Sequence, residues 1–286
     1  MIDMRQHTVQ CLSPAGFHDM AYVEWGDPTN PRVLVCVHGL TRCGRDFDFL
    51  ARAMADRYRV VCPDVVGRGR SGWLRDKNYY AIPQYCADMA TLLARIDAET
   101  VHWVGTSMGG LIGMALAAQE GSPLSRLVLN DVGPVITAAS IKRIGEYVGT
   151  APRFASMAQA EAFVRFVSAP FGALTDEQWR HLTKYTMRPT ADGTGFELAY
   201  DPGIAEPFRQ AMGEGEDALL WPIYDAVRCP TLVLRGAQSD LLTVATALEM
   251  TTRGPKAQVA EIAGVGHAPV LMDAGQIGIV RDFLLG

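Results

Sequence analysis

Apolar positions change their spacing along the chain and divide it into short buried runs and longer amphipathic stretches. Val33–Val37 is a β-branched apolar run, the pattern of a strand covered on both faces. A turn and an apolar-periodic segment from Phe47 to about Ala55 follow. The next strand, Arg59–Cys62, is halted by Pro63, which has no N–H to give to a ladder. From Tyr79 to Ile96, Tyr85, Met89, Leu92, Leu93 and Ile96 fall at helical spacing. Val101–Val104 predicts a strand, Met108 to Gln119 a helix rich in Ala, Leu and Met, and Leu127–Leu129 another strand. The alternation resumes with Thr231–Leu234, a helix around Val244–Met250, the strand Gln258–Ile262 and a last helix to about Leu285. Thr8–Leu12 and Met20–Trp25 read as an antiparallel edge hairpin. Together these predict an α/β fold: a mostly parallel, eight-stranded sheet flanked by helices.

Between residues 132 and 222 the alternation stops. Ala160, Phe163, Val164 and Val167 share one helical face, and Thr175 followed by Asp176, Glu177 and Gln178 has the form of a helix start. Residues 213–217, Gly-Glu-Gly-Glu-Asp, read as an acidic loop. This stretch is expected to be a helical cap inserted after the sixth strand, with residues 1–131 and 223–286 forming the core.

Composition narrows the function classes. At 286 residues, 49% hydrophobic and 20% charged, the chain can bury a large core and is too apolar for disorder. A net charge of −5 without any Lys/Arg block is opposite to what nucleic acid attracts. No apolar run approaches bilayer length, and Met1 to His7 lacks the basic start of a secretory signal, so a cytoplasmic protein without membrane or nucleic-acid partners is expected. Six cysteines without a CxxC pair point to reduced core thiols rather than a disulfide or zinc framework.

The chemistry begins at Gly105-Thr106-Ser107-Met108-Gly109, a G-x-S-x-G string between the strand Val101–Val104 and the helix that follows. A sharp strand-to-helix turn lifts a serine hydroxyl above the sheet, and glycines on either side remove Cβ atoms that would clash. The helix start beneath it offers unpaired N–H groups to a developing oxyanion. A serine nucleophile needs a base, and two histidines follow Ser107. His181 lies mid-helix, whereas His267 lies in a loop just beyond the strand Gln258–Ile262, where it can lean over the strand ends. Two aspartates stand after predicted strands as candidates to orient the imidazole. Asp240, on the loop leading to the strand–helix unit before His267, is preferred; Asp131 is the alternative, read as a turn cap where the chain leaves for the insertion.

These residues, with His38-Gly39 after the first parallel strand, the turn Asp64-Val65-Val66-Gly67-Arg68-Gly69-Arg70-Ser71 after the second, and Gly264-Val265-Gly266-His267, resemble the α/β-hydrolase superfamily, in its capped esterase, lactonase and C–C-hydrolase branch. The resemblance implies an oxyanion hole from the backbone N–H groups of Leu40 and Met108. It also implies that Asp64, Gly67, Gly69 and Ser71 build a supporting turn. A serine at the elbow, where epoxide- and halide-processing relatives carry aspartate, implies acyl transfer. The expected activity is cofactor-free and metal-free hydrolysis of small to medium apolar carboxylic esters. C–C hydrolysis of ring-cleavage diketones, and enol-lactone or hydroxyalkanoate-oligomer hydrolysis, are the alternatives. A non-enzymatic ligand-binding protein stands last. Arg42 is a candidate contact for a substrate carboxylate, weighed against a structural pairing with Asp46 or Asp48.

Overall fold

A computed structural model describes residues 4–207 and 216–286. The edge hairpin is longer than its apolar alternation predicts: β1 (Met4–Ser13) and β2 (Gly16–Trp25) pair antiparallel over their full lengths. β3 (Arg32–Val37), β4 (Arg59–Pro63), β5 (Thr100–Thr106) and β6 (Leu124–Asn130) follow, the last two running past the predicted ends because polar Thr106 and Asn130 still pair. The helices between them are α1 (Asp48–Met54), α2 (Ile82–Ile96) and α3 (Met108–Ala117).

The segment after β6 mixes short strands with its helices, where helices and loops alone were expected. In chain order it holds β7 (Val135–Ile136), α4 (Ala138–Tyr147), β8 (Arg153–Phe154), α5 (Met157–Val167), α6 (Asp176–Thr186), β9 (Met187–Pro189), β10 (Phe196–Leu198) and β11 (Ala218–Leu219). The strands form two small antiparallel sheets, β8-β10-β9 and β11-β7. At two or three residues each, they are too short for hydrophobic periodicity to reveal. Ala160 and Val164 of α5 pack with Trp179 and Leu182 of α6 into a separate apolar cluster, while Val167, expected on the same face, is half exposed at the helix end. Thr175 and Gln178 form a reciprocal capping box at the start of α6. Residues 213–215 of the acidic loop lie outside the described residues.

α7 (Trp221–Ala226), β12 (Thr231–Gly236), α8 (Val244–Met250), β13 (Gln258–Ile262) and α9 (Ala274–Leu285) complete the chain. The expected boundary at residue 222 falls inside α7, whose Tyr224 is fully buried in the main core cluster.

The eight long strands form one sheet in the order β1-β2-β4-β3-β5-β6-β12-β13. The pairs from β4 to β13 are parallel and those of the hairpin and of β2 with β4 antiparallel. Two apolar clusters lie on the two faces of the central strands: Val33, Val35 and Val37 enter one, Leu34 and Cys36 the other. The near-continuous apolar runs of the central strands are the consequence of this two-sided burial. No described helix is long and apolar enough to cross a membrane, and all six cysteines are free thiols.

Candidate active site

The turn between β5 and α3 holds Ser107 at φ +51° and ψ −115°, a left-handed conformation that a side-chain-bearing residue rarely adopts. Its N–H donates to Asn130 O at 2.9 Å, and its carbonyl accepts the N–H of Gly110 at 2.9 Å. Packing shows why glycines flank it. A Cβ on Gly109 would overlap the Val37 carbonyl, and one on Gly105 would overlap the carbonyl of Gly109. The helix therefore starts directly against the strands, and Ser107 is held at their carboxyl ends.

His267 lies on the loop after β13. That loop is pinned by Gln238 N–H donating to Val265 O (2.8 Å), Gly266 N–H to Pro170 O (2.7 Å) and Asn130 Nδ2 to Pro269 O (2.7 Å). The Ser107 hydroxyl reaches His267 Nε2 at 3.0 Å. On the opposite side of the ring, His267 Nδ1 lies 2.7 Å from Oδ2 of Asp131. With Nδ1 donating to a carboxylate, Nε2 keeps its lone pair for the serine proton.

The carboxylate beside His267 thus belongs to Asp131, where the sequence favoured Asp240. Asp240 points outward: its side chain is 59% exposed and pairs with Arg143 of α4 at 2.9 Å. Asp131 directly follows β6 at φ +56°, is fully buried, and accepts the Gly236 N–H (2.9 Å) and the Ser239 hydroxyl (2.6 Å) besides His267. The sheet order explains the choice. β6 lies beside the serine strand β5, and β12 lies between β6 and the histidine strand β13. The carboxylate at the end of β6 therefore sits under an imidazole returning across β12. Ser239 and Asn130, both missed from sequence, organise this cluster. Asn130 Nδ2 also donates to Thr106 Oγ1 at 2.9 Å, so one side chain links the serine turn to the histidine loop.

The loop of Gly39 and Leu40 runs alongside the serine, since a Cβ on Gly39 would meet the Ser107 Cβ at 3.7 Å. His38 is fully buried and donates from Nδ1 to Gly39 O at 2.7 Å, while its Nε2 accepts the Val65 N–H at 2.9 Å. Burial lowers this imidazole to about 4, leaving it neutral, as the two-sided bonding requires. Gly39 O also accepts the Arg42 N–H at 3.1 Å. In a trans peptide the N–H opposes the C=O, so fixing Gly39 O fixes the direction of the Leu40 N–H. Asp64 accepts the N–H groups of Gly44 (2.8 Å) and Arg70 (3.0 Å), and Ser71 Oγ accepts that of Ala21 (2.8 Å).

Arg42 is engaged elsewhere. Its Nε and Nη2 donate to the two Asp46 oxygens, each at 2.7 Å, and Nη1 donates to Thr186 Oγ1 at 2.7 Å at the end of α6. The fork clamps two parts of the chain together. His181 packs between the rings of Phe49 and Tyr185 and bonds Arg45 O at 2.8 Å, away from Ser107's partners.

Ser107 opens into a cavity of about 320 Å³ whose described lining is almost wholly apolar. Leu40, Met108 and Leu241 of the core line it, together with Ile136, Ile141 and Ile144 from the segment after β6. Among the described residues, one group of metal-ligating types converges, Cys11, His18 and Asp88, with donor atoms within 4.8 Å of one another. There His18 Nε2 already bonds Asp88 at 3.0 Å, and burial, with the Asp88 charge beside it, pushes the Cys11 thiol up to about 12.

The family model described as alpha/beta hydrolase fold matches residues 32–274. A 3-hydroxybutyrate-oligomer hydrolase of Cupriavidus necator is 53% identical over 284 residues, which span 97% of each chain. Among solved structures, a putative hydrolase from Rickettsia typhi superposes with a TM-score of 0.90 at 31% identity, covering 99% of both chains. An alpha/beta hydrolase from Novosphingobium aromaticivorans superposes at 0.87 and 34% identity, covering 100% of this chain and 99% of its own.

Proposed function

The chain belongs to the alpha/beta hydrolase family and is a carboxylic-ester hydrolase, and from that premise we propose that it cleaves short 3-hydroxybutyrate oligomers through an acyl intermediate on Ser107. The observation that carries the chemistry is the continuous line Ser107–His267–Asp131 facing an apolar cavity. The near full-length likeness to an oligomer hydrolase supports the substrate.

In this reading, Ser107 Oγ attacks the ester carbonyl as His267 Nε2 takes its proton. The oxygen that becomes negative is held by the N–H groups of Leu40 and Met108. When the tetrahedral species collapses, His267 returns the proton to the departing alkoxide, the hydroxyl end of the next unit. Water then loses a proton to His267 and attacks the acyl-serine, and His267 returns that proton to Ser107 Oγ as its ester bond breaks and the acid leaves. Asp131 keeps the imidazole tautomer and balances the transient imidazolium. The segment carrying Ile136, Ile141 and Ile144 acts as a cap, placing methyl-rich walls against the methyl-branched units of such an oligomer. Arg42, the candidate contact for a substrate carboxylate, has its guanidinium held by Asp46 and Thr186.

Monomer release from the 3-hydroxybutyrate dimer and trimer, followed by chromatography, tests the proposal beside p-nitrophenyl butyrate, an enol-lactone and a vinylogous diketone. Oligomer turnover that disappears in Ser107→Ala is expected. Turnover of the lactone or diketone with none of the oligomers would overturn the substrate assignment.

A further inference from the structure

The turn after β4 buries a guanidinium that none of the steps above uses. Arg68 is fully buried, and its Nε donates to Leu40 O at 2.7 Å. Nη1 donates to Val66 O at 2.7 Å and to the Tyr85 hydroxyl at 3.0 Å, and Nη2 lies 3.7 Å from Met108 Sδ. Its plane also stands 5.0 Å from the Tyr85 ring centre. Among the described residues, no carboxylate forms an ion pair with it. Burying a charge without a counter-ion is costly, so an arginine here does something an apolar residue of similar size cannot. What sets it apart is its contacts: one fork touches both residues whose N–H groups face the developing oxyanion.

We propose that Arg68 is a positioning residue for the oxyanion hole, holding Leu40 and Met108 in register and setting a fixed positive charge behind them. The inference rests on the acyl-transfer reading of Ser107. Leu40 sits between two pinned peptides: His38 and the Arg42 N–H hold Gly39 O on one side, and Arg68 holds Leu40 O on the other. The Leu40 N–H is thereby denied rotation about both neighbouring bonds. A cation that no carboxylate among the described residues pairs favours the transition state, where the substrate carbonyl becomes an anion, over the neutral ground state. Arg68 thus acts on kcat rather than on substrate binding.

The test compares Arg68→Met and Arg68→Lys with the natural enzyme on p-nitrophenyl butyrate, and measures inhibition by a trifluoromethyl ketone, whose adduct with a serine carries an oxyanion. Removing an oxyanion donor outright costs about 10²–10³ in kcat, so losing only its support should cost Arg68→Met about 30-fold, with KM within about threefold. The inhibition constant should rise in step with kcat/KM. Arg68→Lys keeps the charge but not the fork, and a loss of about tenfold is expected. If Arg68→Met does not fold, Arg68→Lys carries the test alone. Either folded variant with kcat within about twofold, or a loss confined to KM, overturns the proposal. Ser107→Ala separates the two levels: residual full turnover there sinks the serine reading itself, whereas its inactivity beside active Arg68 variants sinks only the role of Arg68.

Discussion

His267 Nδ1 and Asp131 Oδ2 meet at 2.7 Å although 136 positions separate them, and the same carboxylate takes up the Gly236 N–H and the Ser239 hydroxyl. Asp131 is thus held rigidly and serves one imidazole. If it orients the base, Asp131→Asn should lower kcat by about 10⁴, because the amide presents a donor where an acceptor is needed. Asp240→Asn, which disturbs only an exposed ion pair with Arg143, should stay within about threefold. Steady-state kinetics of the two variants decide between them, and the reverse ranking would return the role to Asp240.

A methyl at the second glycine of the elbow tests the packing that presents Ser107. Gly109→Ala forces a Cβ into the Val37 carbonyl, which is strand backbone and cannot swing aside. The expected cost is about 3 kcal/mol, the upper end for overpacking, read as a fall in the urea midpoint at unchanged m. Gly121→Ala, with open space around its Cβ direction but φ +72°, should lose less, about 1 kcal/mol from backbone strain alone.

Acid should destabilise the fold through histidines buried neutral. Burial lowers both His38 and His102 to about 4, against an unfolded value near 6.5. Between these values the unfolded chain binds protons the native one refuses, so stability is fully present above pH 6.5 and lost as pH falls toward 4. Each histidine accounts for up to about 3 kcal/mol over that window. His102 Nδ1 bonds the Tyr58 hydroxyl at 2.8 Å, whereas Ser107 bonds His267. His102→Gln should therefore flatten the decline of unfolding free energy between pH 7 and pH 4, and an unchanged slope would contradict this account.

The wall of the cavity should set acyl length. Ile141 and Ile144 project from α4 into the space in front of Ser107. Ile141→Trp fills that space, so kcat/KM for p-nitrophenyl octanoate should fall about tenfold or more, while the acetate ester changes little, the discrimination expected from a few methylenes in an apolar pocket. A uniform loss across chain lengths would place the damage in the catalytic cluster instead.

Much of the molecule was legible from residue pattern. The central strands announce themselves because burial on both faces leaves Val33–Val37 and its neighbours almost without polar positions. Ser107 and His267 could be singled out as candidates because their motifs are local: a glycine-flanked turn and a loop after a strand can each be read within six residues. The small strands β7 to β11 were not legible, since a pair of residues carries no period, and Val167 was misplaced because α5 ends there.

The linear order of apolar runs, turns and glycines was enough to predict the individual strands and helices of the sheet, the glycine-flanked serine turn and the histidine loop, since each rests on residues close together in the chain. Placing Asp131 rather than Asp240 beside His267, engaging Arg42 with Asp46 and Thr186, and setting Arg68 against Leu40 and Met108 were left to the tertiary structure. Those outcomes depend on which strands lie side by side and which charge can be buried with its hydrogen bonds satisfied. Strand adjacency is a property of the assembled sheet, and no local pattern along the chain encodes it.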